Sequence, residues 1–268
     1  CGNDGHSVVR GNITLPATGA NDTAISWATS HPDIVTTEAT ENVGYDLTPA
    51  GVVTRPAQDT QVTMTATITY GEAVDTKDFT FTVKAAVAPV TEEDLGGYFF
   101  TYFSGERYSD GEQVFFAASE DGLNWTDLND NKPVLTSSLG DKGVRDPFII
   151  RSPEGDKFYM IATDLRIANG AGWGAAQTAG SQSLMVWEST DLVNWSDQRM
   201  VKVARADAGC TWAPEAHYDA RTGEYIVYWA SKIGQDGYSK QRVYYAKTRD
   251  FYTFTAPEVM MEGDTSLI

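Results

Sequence analysis

Two patterns of apolar and polar residues divide the chain. Over residues 1–85 the two kinds alternate in short runs: Asn12-Ile-Thr-Leu-Pro16, Ala24-Ile-Ser-Trp27, Gln61-Val-Thr-Met-Thr-Ala-Thr-Ile-Thr-Tyr70 and Asp78-Phe-Thr-Phe-Thr-Val83. A strand turns successive side chains to opposite faces, so alternation with threonine outward predicts half-buried antiparallel strands. Gly11, Pro16, Gly19, Pro32, Gly51, Pro56 and Gly71 punctuate these runs at turn spacing. No helical period appears. The expected structure is a small β-sandwich. Residues 86–96 follow neither pattern, carry Pro89 and end in acids, and read as a linker.

From Gly97 the aromatics become dense and a unit recurs. Gly97-Tyr98-Phe-Phe-Thr-Tyr-Phe leads to Gln113-Val-Phe-Phe-Ala-Ala-Ser119-Glu-Asp121-Gly-Leu-Asn124-Trp125. Asp156-Lys-Phe-Tyr-Met-Ile-Ala-Thr163 leads to Leu184-Met-Val-Trp-Glu-Ser189-Thr-Asp191-Leu-Val-Asn194-Trp195. Glu224-Tyr-Ile-Val-Tyr-Trp-Ala-Ser231 leads to Arg242-Val-Tyr-Tyr-Ala-Lys-Thr248-Arg-Asp250-Phe-Tyr-Thr253-Phe254. Each unit is two strands and a Ser/Thr-x-Asp turn closed by an aromatic ring. A repeated antiparallel unit of this kind predicts the blades of a β-propeller over 97–268. The recurring Asp121, Asp191 and Asp250 are then turn caps, and Trp125, Trp195 and Phe254 are packing between blades. The fold class is all-β: a sandwich followed by a partial propeller.

Composition narrows the partners. With 20 Lys and Arg against 37 Asp and Glu, the net charge of −17 repels phosphate backbones and anionic lipid, which argues against nucleic-acid binding. No apolar run approaches the roughly 20 residues that span a bilayer, so membrane insertion is not expected. Two cysteines, Cys1 and Cys210, give neither a disulfide framework nor a zinc site, and His6, His31 and His217 are scattered. A monomer without metal is expected. Cys1 is either the lipid-bearing first residue of a bacterial lipoprotein or an arbitrary starting point; the absence of a tether before the first strand pattern favours the second.

Removing the repeat leaves a few polar residues over. In Lys142-Gly-Val-Arg145-Asp146-Pro147-Phe148-Ile-Ile-Arg151, a carboxylate stands at the mouth of an apolar strand. The proline is expected to hold Asp146 extended, pointing one way, as a catalytic base requires; the plain alternative is a partner for Arg145. At the matching place before the last unit stands Trp212-Ala-Pro214-Glu215-Ala-His217-Tyr218-Asp219. First strands of propeller blades converge on one channel. Asp146 and Glu215 are therefore expected to face one another across its mouth, which glycosidic bond cleavage uses. Asp164 and Arg166, outside the repeat, and Trp173, on the Gly-rich stretch 169–174, are candidates for lining a sugar pocket. For these three, loop packing is an equal alternative.

These residues carry resemblances. Val9-Arg-Gly-Asn12-Ile-Thr-Leu-Pro16, Ile25-Ser-Trp27, Gly51-Val-Val-Thr-Arg55-Pro56 and Phe79-Thr-Phe-Thr-Val83 resemble bacterial immunoglobulin-like domains of secreted carbohydrate-active proteins, which implies a spacer or presentation module. Asp146-Pro-Phe-Ile-Ile, Phe158-Tyr-Met-Ile-Ala-Thr163, Ser189-Thr-Asp-Leu-Val-Asn-Trp195 and Trp212-Ala-Pro-Glu215 resemble glycoside hydrolase family 43. That resemblance implies a five-bladed propeller and an inverting enzyme of arabinofuranosidase or xylosidase type. Its substrates are plant cell-wall oligo- and polysaccharides, and the location is extracellular or the bacterial surface. It makes Asp146 the general base and Glu215 the carboxylate that orients the general acid and tunes its pKa. The family usually has Asp at the latter place. Arg145, Asp164, Arg166, Trp173, Trp212 and His217 become substrate contacts. A structural calcium in the channel is compatible with it; no other cofactor is implied. The family's general acid is a Glu in a later blade, so the chain, reaching Thr265-Ser-Leu-Ile268, is expected to be a fragment. Two other readings stay open. One is a non-catalytic carbohydrate-binding or adhesion protein. The other is a fructan-type propeller glycosidase, which shares Arg-Asp-Pro but needs an upstream Asn-Asp-Pro that is not found before Arg145.

Overall fold

The computed structural model describes residues 7–168 and 170–268. Cys1, His6 and Asn169 lie outside the described residues. The architecture is nearly all-β, and no described helix is long and apolar enough to cross a membrane. Two compact units form: Cys1–Ala88 with Tyr218–Tyr225 and Thr248–Thr253, and the remainder from Pro89.

The first unit is built on one four-stranded sheet. Strands β1 (Val8–Val9), β2 (Ala24–Thr29), β3 (Thr60–Tyr70) and β4 (Ala73–Val83) lie in the order β1-β4-β3-β2. The alternation works as read: Val62, Met64 and Ala66 of β3 are buried between the threonines, and Phe81 and Val83 of β4 join them. Val9, Ile13, Ile34 and Val35 complete that core, with Trp27 packed against it. The layer facing the sheet is reduced to isolated bridges, Val35 to Val53 and Thr40 to Thr48. The turn at 248–253 also belongs to this unit. Its Arg249, 5% exposed, donates to the carbonyls of Ile13, Pro49, Ala50 and Thr222. Burial lowers its pKa; four carbonyl acceptors compensate the desolvated charge.

From Tyr98 onward the strands form three antiparallel meanders, each with strands in sequence order. The first is β5 (Tyr98–Tyr102), β6 (Phe115–Ser119) and β7 (Thr126–Asp127). The second is β8 (Val144–Arg151), β9 (Phe158–Asp164), β10 (Ser183–Ser189) and β11 (Arg199–Lys202). The third is β12 (Trp212–Asp219), β13 (Glu224–Ser231), β14 (Arg242–Thr248) and β15 (Glu258–Met261). Val114, Phe116, Val144, Met160, Met185 and Trp187 form a core between the first two blades. Trp195 joins it, its ring 5.7 Å from Phe116, as an inter-blade aromatic should. Trp125 behaves differently: it is 43% exposed and packs on Phe100 of its own sheet.

The Asp turns are structural. Asp121 Oδ1 accepts the N–H groups of Leu123 and Asn124 at 2.8 Å each, and Asp191 Oδ1 those of Val193 and Asn194 at 2.9 and 2.7 Å. Asp250 does the same for Tyr252 and Thr253. Several donors on one carboxylate favour its charged form. Hydrogen bonds from Asn194 and Val193 accordingly lower the Asp191 pKa to about 2, and Asp121 is lowered further by its bonds from Asn124 and Leu123.

Candidate active site

The site is built where β8 begins. Asp146 is not extended. Its φ is +48°, inside a bulge that breaks the β8–β9 register between Arg145 and Phe148. A bulge puts an extra residue into one strand and re-aims its side chain. Asp146 Oδ2 accepts the Thr163 hydroxyl at 3.1 Å, and the Thr163 oxygen in turn accepts the Ala213 N–H at 2.9 Å. A fully buried threonine therefore ties the starts of two blades together. Burial pushes the Asp146 carboxyl above its ordinary value, while the Thr163 hydroxyl, the Arg145 charge and the Ala213 N–H pull it back. The group is half-desolvated and oriented, as suits a general base.

Ala213 also stands before a proline, with φ +50°. Aligning Pro147 with Pro214 makes Ala213 the counterpart of Asp146 and places Glu215 at the position of Phe148. The expected symmetry of the two carboxylates is corrected accordingly. Glu215 is exposed, and its Oε2 accepts the Tyr228 hydroxyl at 2.8 Å. His217 is exposed two residues further along the same strand. The hydrogen bonds of Glu215 and Asp146 run to different partners.

Arg145 is the hub of the neighbouring wall. Its guanidinium lies 4.8 Å from the Phe103 ring centre and 4.9 Å from that of Trp173, both within cation–π range. Trp173 meets Trp212 edge-on at 6.0 Å. Trp173 is not on a loop: Gly172–Thr178 forms a short helix, α1, and the indole is 45% exposed. Arg145 pairs with Glu112 at 3.0 Å and Glu106 at 3.3 Å. Glu106 has its pKa lowered by its own backbone N–H and by Arg145, which makes it a poor proton donor.

Asp164 is a correction. At 3% exposure it lines no open wall; it accepts the Asp141 N–H at 2.9 Å and a hydrogen bond from Ser181. A side chain at Gly140, φ +54°, would put its Cβ 2.2 Å from Asp164 Oδ2, so the 139–143 loop needs a glycine there to close over this carboxylate. Arg166 donates to the Lys142 carbonyl and, with Asp141, lines a cavity of about 190 Å³ beside α1. A larger concavity on the first blade, about 630 Å³, holds none of the candidate side chains. Among the described residues, no three of His, Cys, Asp or Glu stand where they could share a metal ion. Cys210 is buried, with its thiol pKa pushed up by that burial.

The sequence reading missed Glu112, Thr163, Glu106 and Phe103. Thr163 stood only as the last residue of an apolar strand run. Glu112 sat in the polar turn Ser109-Asp-Gly-Glu112-Gln113, where no pattern distinguishes a buried anion from a solvated one.

A blade-like meander with an oriented carboxylate at its first strand and an arginine–aromatic wall beside it describes a carbohydrate-active domain. Comparison with known proteins gives the family. Residues 93–268 match the glycoside hydrolase family 43-related family described as "Probable glycosyl hydrolase domain", and the chain belongs to it. Residues 1–86 match the atrophied bacterial Ig domain, in keeping with the reduced second layer. A curated relative, an α-L-arabinofuranosidase of Bifidobacterium longum subsp. longum, is 35% identical over 96% of this chain; the chain spans 27% of that protein. Solved structures are more distant. The exo-1,5-α-L-arabinanase from a bovine ruminal metagenomic library has a TM-score of 0.40 at 12% identity, covering 77% of this chain and 75% of its own. The Bombyx mori GH32 β-fructofuranosidase has 0.43 at 15%, covering 77% and 48%.

Proposed function

We propose that this chain supplies the general base of an inverting glycoside hydrolase acting on arabinose- or xylose-containing plant oligo- and polysaccharides. The reading is carried by Asp146, a desolvated carboxylate held in a bulge by Thr163 beside the Ala213 N–H. Family membership supports the reaction class. The arabinofuranosidase relative favours an arabinofuranosyl substrate over xylose. Asp146 takes a proton from a water on the face opposite the leaving group. Arg145, Trp173 and Trp212 form the adjoining wall on which a sugar ring rests. Glu215, held by Tyr228, is the orienting carboxylate of this scheme, and a general acid completes it roughly 6.5–9.5 Å from Asp146. The Ig-like unit acts as a spacer, and the protein works outside the cell or at its surface.

The test is Asp146→Asn in the longest polypeptide that carries this chain. On an aryl α-L-arabinofuranoside, turnover should fall at least about 100-fold with substrate affinity kept. Proton NMR of the wild-type reaction should show the inverted anomer first. Near-normal turnover of the variant, or a retained first product, contradicts the reading.

A further inference from the structure

One fully buried carboxylate of the second unit has no part in the scheme above. Glu112 is 0% exposed. Its Oε1 accepts Arg145 Nη1 at 3.0 Å and the Ile167 N–H at 2.6 Å, and its Oε2 accepts the Ala168 N–H at 2.9 Å. Its own carbonyl accepts the Val144 N–H at 2.7 Å, from a backbone with φ +57°. One side chain thus holds the residue next to Asp146 and the backbone that leads, four residues on from Ala168, into the helix carrying Trp173.

We infer that Glu112 is a positioning residue: its buried carboxylate fixes Arg145 and the 167–168 backbone together, and so sets the Arg145–Trp173 wall beside Asp146. The inference rests on the proposed sugar site for its purpose but on the hydrogen bonds alone for its geometry. The chemistry asks for an ionised carboxylate. Three donors converge on two oxygens, and a largely shielded arginine, its side chain 13% exposed, needs an anion close by. Glutamine keeps the shape but offers one oxygen. With that oxygen at the Oε1 place, its NH₂ meets the Ala168 N–H donor to donor. Glu106, with its side chain 37% exposed, cannot take over the two backbone N–H groups while it is committed to Arg145 at 3.3 Å.

The experiment uses the longest polypeptide that carries this chain and its Glu112→Gln variant. Amide hydrogen exchange is read peptide by peptide, and binding of α-1,5-linked arabinotriose is read by calorimetry. Exchange in 165–178 should quicken by at least about 10-fold while β9 and β10 stay as in the wild type, and arabinotriose affinity should drop about 5- to 10-fold. Unchanged exchange in 165–178 overturns the inference. So does a rise shared equally with β9 and β10, since that marks a residue serving only the core. If the exchange pattern holds and the wild-type chain takes up no arabinotriose, the positioning role stands and the substrate reading falls.

Discussion

At the first strand of the second blade and at the first strand of the third, a residue with positive φ stands directly before a proline: Asp146 at +48° and Ala213 at +50°. Proline crowds the residue before it and favours extended backbone there. Left-handed backbone costs an ordinary L-residue roughly 1–2 kcal/mol. Both places carry this strain, yet only one carries an ionisable group. The strained turn is therefore a device of the blade, and the chemistry is a side chain placed on it. The asymmetry has a physical sense. Asp tolerates left-handed backbone better than Ala because its short polar side chain can hydrogen-bond locally. Ala213 gives only its N–H, and gives it to the threonine that orients Asp146.

Exchanging the two residues tests that comparison most severely. Asp146→Ala should abolish at least about 99% of turnover, and adding Ala213→Asp should restore none of it, because Thr163 presents its hydroxyl to one side only. Recovery in the double variant, measured on the same aryl glycoside, would make the two positions interchangeable and break the distinction.

Thr163→Val acts on the link between them. The Ala213 N–H loses its acceptor in a buried place, which should cost about 1–3 kcal/mol in denaturant melts. The same change removes a hydrogen bond that lowers the Asp146 pKa, so the acidic limb of the pH–rate profile should move up. A melt within error of wild type and an unmoved limb would leave the two blade starts uncoupled.

A smaller effect is expected from Ala213→Gly. Glycine adopts positive φ without a Cβ penalty, so the variant should gain up to about 1 kcal/mol, less the entropy of a freer unfolded chain. A loss of stability would mean that the Ala213 methyl group contributes more by packing than it costs in strain.

The smallest effect is the pH dependence of Asp146 itself. Burial raises its folded-state pKa above the ordinary aspartate value of about 3.9. The folded state therefore holds that proton more tightly, and the stability this gives is complete below the ordinary aspartate pKa and lost as pH rises through the raised value. Asp146→Asn has no charge to bury. Its melting temperature should match wild type in acid and exceed it toward neutral pH. A difference that is constant with pH would show that Asp146 is not desolvated.

Much of this was legible in the sequence because it depends on period. The Val62-Thr-Met-Thr-Ala66 alternation placed the first sheet and its core, and the Ser/Thr-x-Asp repeat placed the turns whose carboxylates do accept backbone N–H groups. Asp146 stood out because it departed from that repeat. What was not legible depends on φ and on burial at single residues. Asp146 before a proline reads as extended, and only a bulge reverses that. Asp164 ends a strand run and Glu112 stands in a polar turn, and both are buried while accepting N–H groups from backbone distant in sequence. The 172–178 helix hides in Gly-Trp-Gly-Ala-Ala-Gln-Thr, whose two glycines read as loop.

The central claim is that Asp146 is the base that activates water. Chemical rescue addresses it without depending on any other residue's role. In the longest polypeptide carrying this chain, Asp146→Gly opens the place of the carboxylate, and azide, a nucleophile that needs no deprotonation, can enter it. The account predicts that turnover of an aryl α-L-arabinofuranoside is lost in the variant, returns in part with added azide, and yields the glycosyl azide of inverted configuration. A variant that keeps wild-type turnover without azide would contradict it.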